Sequence, residues 1–361
     1  MVEHPYSIVV AGGGTAGHIE PALAVAEALQ QRHGARVTAL GTKRGLEVDL
    51  VPARGFDLRL IDPVPVPRKP SVELLKLPLN LRKSVNQAKE ILRDVKADAL
   101  IGFGGYVSAP AYLAARALKL PIYVHEANAK AGLANKLGVR LGGTGFNAVA
   151  NSGMPGEVVG IPIRSGISGD RDGEAAQRGR KIWNLDAAHS TILITGGSQG
   201  AQSLNRATEG AVKELSESGF QVLHAYGPKN ESPQSAAELP GYVAVPYIGD
   251  MAAAYGVADL IIARSGAMSV AEITAAGVPA IYVPLPHGNG EQALNATAVV
   301  ESGAARLIAD QDFNSAEMIQ QIKDILDVPE VYNAMVAAAA ESEAGQVSAL
   351  LADRVVGDLR R

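Results

Sequence analysis

Blocks of four or five consecutive apolar residues recur along the chain, each followed by glycine or a polar turn and then by apolar positions at helical spacing. The first block, Ile8-Val9-Val10-Ala11, leads through Gly12, Gly13 and Gly14 to a helical pattern read from Pro21 onward. Thr191-Ile192-Leu193-Ile194-Thr195 repeats the arrangement, with Gly196-Gly197-Ser198-Gln199-Gly200 and then a helical pattern from Ala201 to Ser218. Further strands are expected at Arg36–Leu40, Ala99–Phe103, Ile122–His125 and around Ala148, and in the second half at Gln221–Tyr226, Val243–Val245, Leu260–Ala263 and Ala280–Val283. Buried strands alternating with helices predict an α/β protein with parallel sheets, here in two Rossmann-like halves. The expected domains are 1–163 and 182–342, joined by the polar, glycine-rich linker 164–181, with a C-terminal helix in 343–361 able to pack back on the first domain. Two such domains facing each other would enclose a cleft.

Composition narrows the class. A length of 361 residues suits two domains, and 39 glycines with only 4% aromatics suit many strand-to-helix turns rather than a β-sandwich. The net charge of −4 argues against a nucleic-acid partner, since such proteins concentrate basic charge. With no cysteine, disulfides and thiolate chemistry are excluded, which fits a reducing compartment. The opening MVEHPYSIVV has no basic segment before a long apolar core, and no apolar run approaches 18 residues, so a cytoplasmic location without signal peptide or membrane span is expected.

Each strand–glycine–helix junction offers backbone N–H groups and a positive dipole end to an anion. Gly12, Gly14 and Gly17 fit the dinucleotide spacing G-x-G-x-x-G, but the ribose-binding acid due about 20 residues later is missing, because the second strand runs into Gly41, Thr42, Lys43 and Arg44. Thr42, Lys43 and Arg44 could hold a 2′-phosphate, so an NADP-dependent oxidoreductase stays open; so does a turn where only glycine lets helix and strand pack. Asp170 with Asp172, and Asp310 with Asp312, have a spacing usable for a divalent metal, yet follow no buried strand and read as solvated turns. In the second half, Arg264-Ser265-Gly266-Ala267 opens a helix at Met268–Ala276, with Glu272 as a ribose acceptor or a partner of the helix dipole. PLPHGNGEQALNA, Pro284 to Ala296, gathers His287, Asn289, Glu291, Gln292 and Asn295, a set suited to sugar hydroxyls.

GGGTAGHIEP, HEAN at His125 to Asn128, IPIR at Ile161 to Arg164, GGSQGA at Gly196 to Ala201, RSGAMSVAE at Arg264 to Glu272 and HGNGEQALNA together resemble the MurG family of GT-B glycosyltransferases, from about Ile8 to Ala305. The resemblance implies a GT-B fold and inverting transfer of N-acetylglucosamine from UDP-N-acetylglucosamine to undecaprenyl-pyrophosphoryl-N-acetylmuramoyl-pentapeptide, the lipid I to lipid II step of peptidoglycan synthesis. It further implies that the second domain holds the donor. Ser198 and the helix start at Ser265 to Ala267 would face the diphosphate, and Ile248 would meet uracil through its backbone. Ala267, Met268, Ser269, Val270, Ala271 and Glu272 would line the nucleotide, with Glu272 on the ribose hydroxyls and Gln292 on the sugar. Arg164 would contact the nucleotide side of the cleft, and Thr15, Ala16, Gly17 and Asn128 would lie across from it. The chain departs from the family pattern at Ala16, Ala127, Ile161, Ile163 and Glu291, and the last leaves open whether Glu291 or Gln292 holds the sugar.

Displacing UDP with inversion requires a base for the acceptor hydroxyl and stabilisation of the departing diphosphate. Helix N-termini can supply the second, so no cofactor is expected to be required, with divalent-cation stimulation left open. His18 and Glu126 are the two candidate bases; at a helix start, His18 is expected to be neutral at pH 7. His18 could instead orient the glycine turn or bind the acceptor's pyrophosphate. A non-catalytic nucleotide-sugar-binding subunit would need neither base. The lipid-linked acceptor calls for peripheral binding at the inner face of the cell membrane. Val64 to Lys89 offers Leu74, Leu75, Leu77, Leu79 and Leu81 beside Arg68, Lys69, Lys76, Arg82 and Lys83 for it. The alternative is a helix pair packing those leucines inward, with Pro78 interrupting any single amphipathic helix.

Overall fold

Two runs of buried strand residues, 7–12 and 191–195, lie at the centres of two parallel sheets in the computed structural model. The structure describes residues 5–43, 45–64, 72–237, 239–286, 290–340 and 347–361. One unit comprises residues 1–164 and 345–361, the other 165–344.

In the first unit β1 (Ser7–Gly12), α1 (Ala16–His33), β2 (Arg36–Thr42), α2 (Glu47–Ala53), β3 (Asp57–Ile61), α3 (Val72–Asp94), β4 (Ala99–Gly104), α4 (Ser108–Ala117), β5 (Ile122–Glu126), α5 (Leu133–Arg140), β6 (Thr144–Asn147) and β7 (Glu157–Val158) follow in turn. The second unit continues with α6 (Glu174–Trp183), β8 (Thr191–Thr195), α7 (Gln202–Glu217), β9 (Gln221–Ala225), β10 (Tyr242–Val245), α8 (Met251–Val257), β11 (Leu260–Ala263), α9 (Ala267–Ala276), β12 (Ala280–Tyr282), α10 (Glu291–Glu301), β13 (Ala305–Leu307), α11 (Ser315–Leu326) and α12 (Pro329–Ala340). Helix α13 (Val347–Leu359) belongs to the first unit.

The first sheet has the order β3-β2-β1-β4-β5-β6-β7 and the second β10-β9-β8-β11-β12-β13, every pairing parallel. In each, the order reverses direction beside the central strand, between β1 and β4 and between β8 and β11. Side chains of α1 and α13 share one core with one face of the first sheet, Ile19, Leu23 and Leu29 beside Leu351, Ala352 and Val355. Asp353 of α13 also pairs with Arg32 and His33 at the end of α1, each at 2.7 Å. Helices α3 and α4 cover the opposite face through Ala88, Leu92, Ala111 and Tyr112.

Three expectations are corrected. Helix α1 starts at Ala16 rather than Pro21, because Thr15 is an extended N-cap whose carbonyl accepts from the His18 and Ile19 N–H groups at 3.1 and 3.2 Å. The linker 164–181 ends in helix: Ala176, Gly179 and Trp183 of α6 are buried, and Gly179 lies against Ala253 and Val257 of α8. Helix α3 continues through Pro78. Pro78 is the seventh residue of the helix, so one backbone bond of its second turn is lost, and the later turns are anchored by buried Ser84, Ala88 and Leu92. Arg44, Arg68, Lys69, His287 and Asn289, and the side chains of Leu74, Leu75 and Lys76, lie outside the described residues.

Candidate active site

Helices α7 and α9 leave adjacent strands and cover opposite faces of the second sheet, α7 through Leu204 and Ala211, α9 through Val270 and Ile273. Their N-termini therefore open on one crevice at the carboxyl edge of the sheet, where ligands of open α/β sheets bind. The turn before α7 needs glycine: Gly197 and Gly200 have φ of +80° and +72°, and a Cβ on Gly200 would strike the Tyr226 carbonyl. Half-buried Ser198 lies on this turn. Gly266 precedes α9 in extended conformation, and the first N–H to bond back is that of Val270, to Gly266 O at 3.0 Å. The N–H groups of Ala267, Met268 and Ser269 thus point out of the helix start.

Arg264 ties the pieces of this edge together. Its Nη1 donates to the carbonyls of Val283 and Pro284, both at 3.0 Å, and to Asp310 Oδ1 at 2.6 Å, while Nη2 donates to Ser203 Oγ at 2.8 Å. Ser203 Oγ in turn donates to Asp310 Oδ1 at 2.6 Å. The segments after β8, β11, β12 and β13 are thereby clasped by one ion pair. Asp310 is not a solvated turn residue; burial would raise its carboxyl, but Ser203 and Arg264 outweigh burial and hold it below the ordinary range. Nothing in its local sequence reveals Arg264, 46 positions earlier.

Glu272 is buried in the second turn of α9, where the Tyr255 hydroxyl donates to its Oε2 at 3.0 Å. Ile248 buries its side chain after β10, so its backbone is what it can offer a ligand. Gln292 stands in the first turn of α10, its Oε1 accepting from the Leu285 N–H at 2.9 Å, and Asn295 donates to the Ser265 carbonyl at 3.2 Å. Ser198, Ile248, residues 267–272 and Gln292 all follow the carboxyl ends of strands in this one sheet.

In the first unit the corresponding turn is Gly12 to His18. Gly14 has φ +90°, and a Cβ on Gly12 would meet the His18 carbonyl, so helix and strand approach as closely as glycine permits. The half-buried His18 ring lies over Gly104, at the end of β4: a Cβ there would come within 2.9 Å of His18 Cδ2 and 3.0 Å of Nε2. His18 Nδ1 is 3.2 Å from Gly13 O and 3.4 Å from Thr15 Oγ1. A carbonyl only accepts, so Nδ1 carries the hydrogen of the neutral ring and Nε2 the lone pair. Thr15 is exposed, and Ala16 and Gly17 form the first turn of α1. The turn is not lined throughout by N–H groups available to an anion, because that of Gly14 is taken at 2.9 Å by Glu47, a buried carboxylate of α2.

Glu126, the second candidate base, is engaged by four donors. Its Oε1 accepts from the N–H and side-chain amide of Asn128 at 2.9 and 3.0 Å, and its Oε2 from Gly132 N and Asn135 Nδ2 at 2.9 and 3.0 Å. Four donors on a carboxylate 2% exposed make it the organiser of the loop after β5, and Asn128 part of that structure. Arg164 is held against Glu20 of α1 at 3.5 Å, a carboxylate that Arg54 also reaches at 3.0 Å. Asp170 accepts from the Asp172 N–H at 3.0 Å as a local turn, and among the described residues no cluster of three or more His, Asp or Glu could hold a metal ion.

The NADP reading fails on Glu47. Its Oε1 accepts from Thr42 N and Oγ1 at 2.7 and 2.9 Å, so a buried carboxylate occupies the end of β2 where a 2′-phosphate would have to sit.

The N-terminal domain of glycosyltransferase family 28 matches residues 8–142, and its C-terminal domain residues 191–351. Over 353 residues the chain is 63% identical to the UDP-N-acetylglucosamine–N-acetylmuramyl-(pentapeptide) pyrophosphoryl-undecaprenol N-acetylglucosamine transferase of Corynebacterium glutamicum strain R, with 98% of each chain covered. The Corynebacterium efficiens protein of the same name is 61% identical over 353 residues, covering 98% of this chain and 97% of its own. The crystal structure of Acinetobacter baumannii MurG superimposes with a TM-score of 0.73 at 31% identity, covering 98% of this chain and all of the other. Two Rossmann-like parallel-sheet units of GT-B class, matched in sequence over residues 8–142 and 191–351, leave one conclusion: the chain belongs to glycosyltransferase family 28.

Proposed function

We propose that the chain moves N-acetylglucosamine from UDP-N-acetylglucosamine to undecaprenyl-pyrophosphoryl-N-acetylmuramoyl-pentapeptide, the transfer for which its relatives are named, and does so with inversion as the lipid I to lipid II step of peptidoglycan synthesis. The observation that carries this reading is the pair α7 and α9, opening on one crevice beside buried Glu272. The diphosphate lies at Ser198 and the α9 start, the ribose on Glu272, uracil on the Ile248 backbone and the sugar on Gln292. Thr15, Ala16 and Gly17 take the acceptor's pyrophosphate. The acceptor hydroxyl gives its proton to His18 Nε2 as its oxygen bonds the anomeric carbon; the bond from that carbon to UDP breaks, and its electron pair leaves on the diphosphate. The positive ends of α7 and α9 stabilise that charge, so turnover requires no metal, although a divalent cation is compatible with the diphosphate.

The acceptor's lipid tail brings the chain to the inner face of the cell membrane. No helix among the described residues is long and apolar enough to cross a membrane. Supporting a peripheral mode, Tyr106 and Leu133 are 56% and 83% exposed in the segments that follow β4 and β5 at the carboxyl edge of the first sheet, and on α3 Leu79 is 71% exposed with exposed Arg82 beside it. Tyr106 and Leu133 escape a sequence reading because neither belongs to an apolar run long enough to mark a surface.

The test is transfer of labelled N-acetylglucosamine to lipid I in anionic vesicles, with and without chelator. Labelled lipid II in both is expected. Donor hydrolysis without transfer overturns the reading, and activity lost in chelator but restored by one divalent ion overturns its metal-free part. UDP, and not NADPH, should raise the melting temperature.

A further inference from the structure

We infer that Glu47 positions His18 through the peptide linking Gly13 to Gly14. Gly13 O and Gly14 N belong to one planar unit. On one edge of that plane Gly14 N–H donates to Glu47 Oε2 at 2.9 Å; on the other, Gly13 O faces His18 Nδ1 at 3.2 Å. Glu47 therefore fixes the rotation of a peptide that the positive φ of Gly14, +90°, would otherwise leave to glycine's wide conformational range. The peptide fixes the imidazole. Its carbonyl calls for hydrogen on Nδ1, which leaves the lone pair on Nε2, and a carboxylate pulling on the N–H edge polarises the carbonyl into a better acceptor.

The surroundings of Glu47 are built for this side chain. It is fully buried, and its other oxygen is held by Thr42 N at 2.7 Å and Thr42 Oγ1 at 2.9 Å. Gly13, Gly41 and Gly45 wrap it: a Cβ on Gly13 would come within 2.8 Å of Oε1, one on Gly41 within 2.5 Å of Cγ, and one on Gly45 would overlap the carboxylate. An apolar residue of the same volume would fill the cradle but leave the Gly14 and Thr42 N–H groups unpaired. Glutamine would keep the volume and the bonds to Thr42 while turning an NH2 toward the Gly14 N–H, two donors face to face. Glu47 touches no substrate in this scheme; it acts only through the turn.

The inference rests on His18 as the base, and the test separates the two claims. The 15N shifts of labelled histidine distinguish the two neutral tautomers, and H18Q identifies the His18 signals. In the unaltered protein the signal should report hydrogen on Nδ1. E47Q should move it toward a mixture and lower kcat about tenfold or more, with the KM for UDP-N-acetylglucosamine within about twofold. Hydrogen on Nε2 in the unaltered protein overturns the inference without any variant, which covers the case of E47Q failing to fold. An unchanged tautomer and kcat in folded E47Q overturn it as well. If H18Q keeps normal kcat, the role of His18 as base fails, while the tautomer shift in E47Q still supports the positioning by Glu47.

Discussion

Arg264 Nη1 stands 2.6 Å from Asp310 Oδ1, and this pair, 10% and 17% exposed at the side chains, holds together the loops on which donor binding is proposed. Replacing Asp310 by Asn keeps the shape and removes the charge, leaving a largely buried guanidinium without its anion. D310N should lower the melting temperature by several degrees and weaken UDP binding by roughly tenfold, about 1.4 kcal/mol, through disorder of the segment at Ser203 and Pro284. Calorimetry giving unaltered UDP affinity would mean that the clasp serves folding alone.

Glu272 accepts from Tyr255 at 3.0 Å, which holds the carboxylate in one orientation rather than leaving it to swing. Removing a charged acceptor from a buried hydrogen bond costs about 1.5–3 kcal/mol, so E272A should weaken UDP by more than tenfold. Its affinities for UDP and 2′-deoxy-UDP should converge, because the group that tells them apart is gone. Y255F should show a smaller loss in the same direction. Retained discrimination in E272A would remove the ribose from this residue.

The central strands and both glycine turns were legible because their signals are local: a run of four or five residues, most of them β-branched, then glycine, then helical spacing. Of the edge strands, β10 was expected at Val243–Val245, but β3 and β13 were not. Asp57-Leu58-Arg59-Leu60-Ile61 carries charges at the sheet edge, and Ala305-Arg306-Leu307 is three residues long, so neither has the unbroken apolar run of a buried strand. The candidate site divided in the same way. His18, Ser198 and Glu272 stand in or beside glycine-marked junctions, whereas Glu47 and Asp310 act on partners 33 and 46 positions away. The environment of Glu126 was not legible either, because its four donors come from Asn128, Gly132 and Asn135, which the strand pattern does not single out.

Two buried histidines set an acid limit to stability. Burial pushes the imidazoles of His125 and His224 down to about 4, against about 6.5 in an unfolded chain. Between those values the unfolded state binds protons that the native state refuses. Their stabilising contribution is thus complete above about pH 6.5 and lost as pH falls toward 4, with a slope of up to about 1.4 kcal/mol per pH unit for each. Asp310, Asp353 and Asp62, whose carboxyls are held below 3.8, add their loss only at still lower pH. Urea melts at pH 7.5, 6 and 5 should show falling midpoints, and H224Q should have a shallower decline. A flat profile over that range would contradict the burial of both rings as neutral species.

The remaining prediction concerns the glycine turn of the first unit. With Nδ1 on Gly13 O, His18 keeps its lone pair on Nε2, the nitrogen lying over Gly104. A general base is worth roughly 10²–10⁴ in turnover, so H18A should lose that much in kcat. UDP-N-acetylglucosamine should still bind, since Ser198, Ile248, the start of α9, Glu272 and Gln292, which are proposed to hold it, lie in the other unit. The split between constants decides the role. A base acts on the reacting proton, and its loss persists at saturating acceptor; a ligand for the acceptor's pyrophosphate would raise the acceptor KM and leave kcat near normal. With Glu126 saturated by four donors, a purely KM effect in H18A would direct the search for the base away from both residues and toward the acceptor's own groups or a bound water.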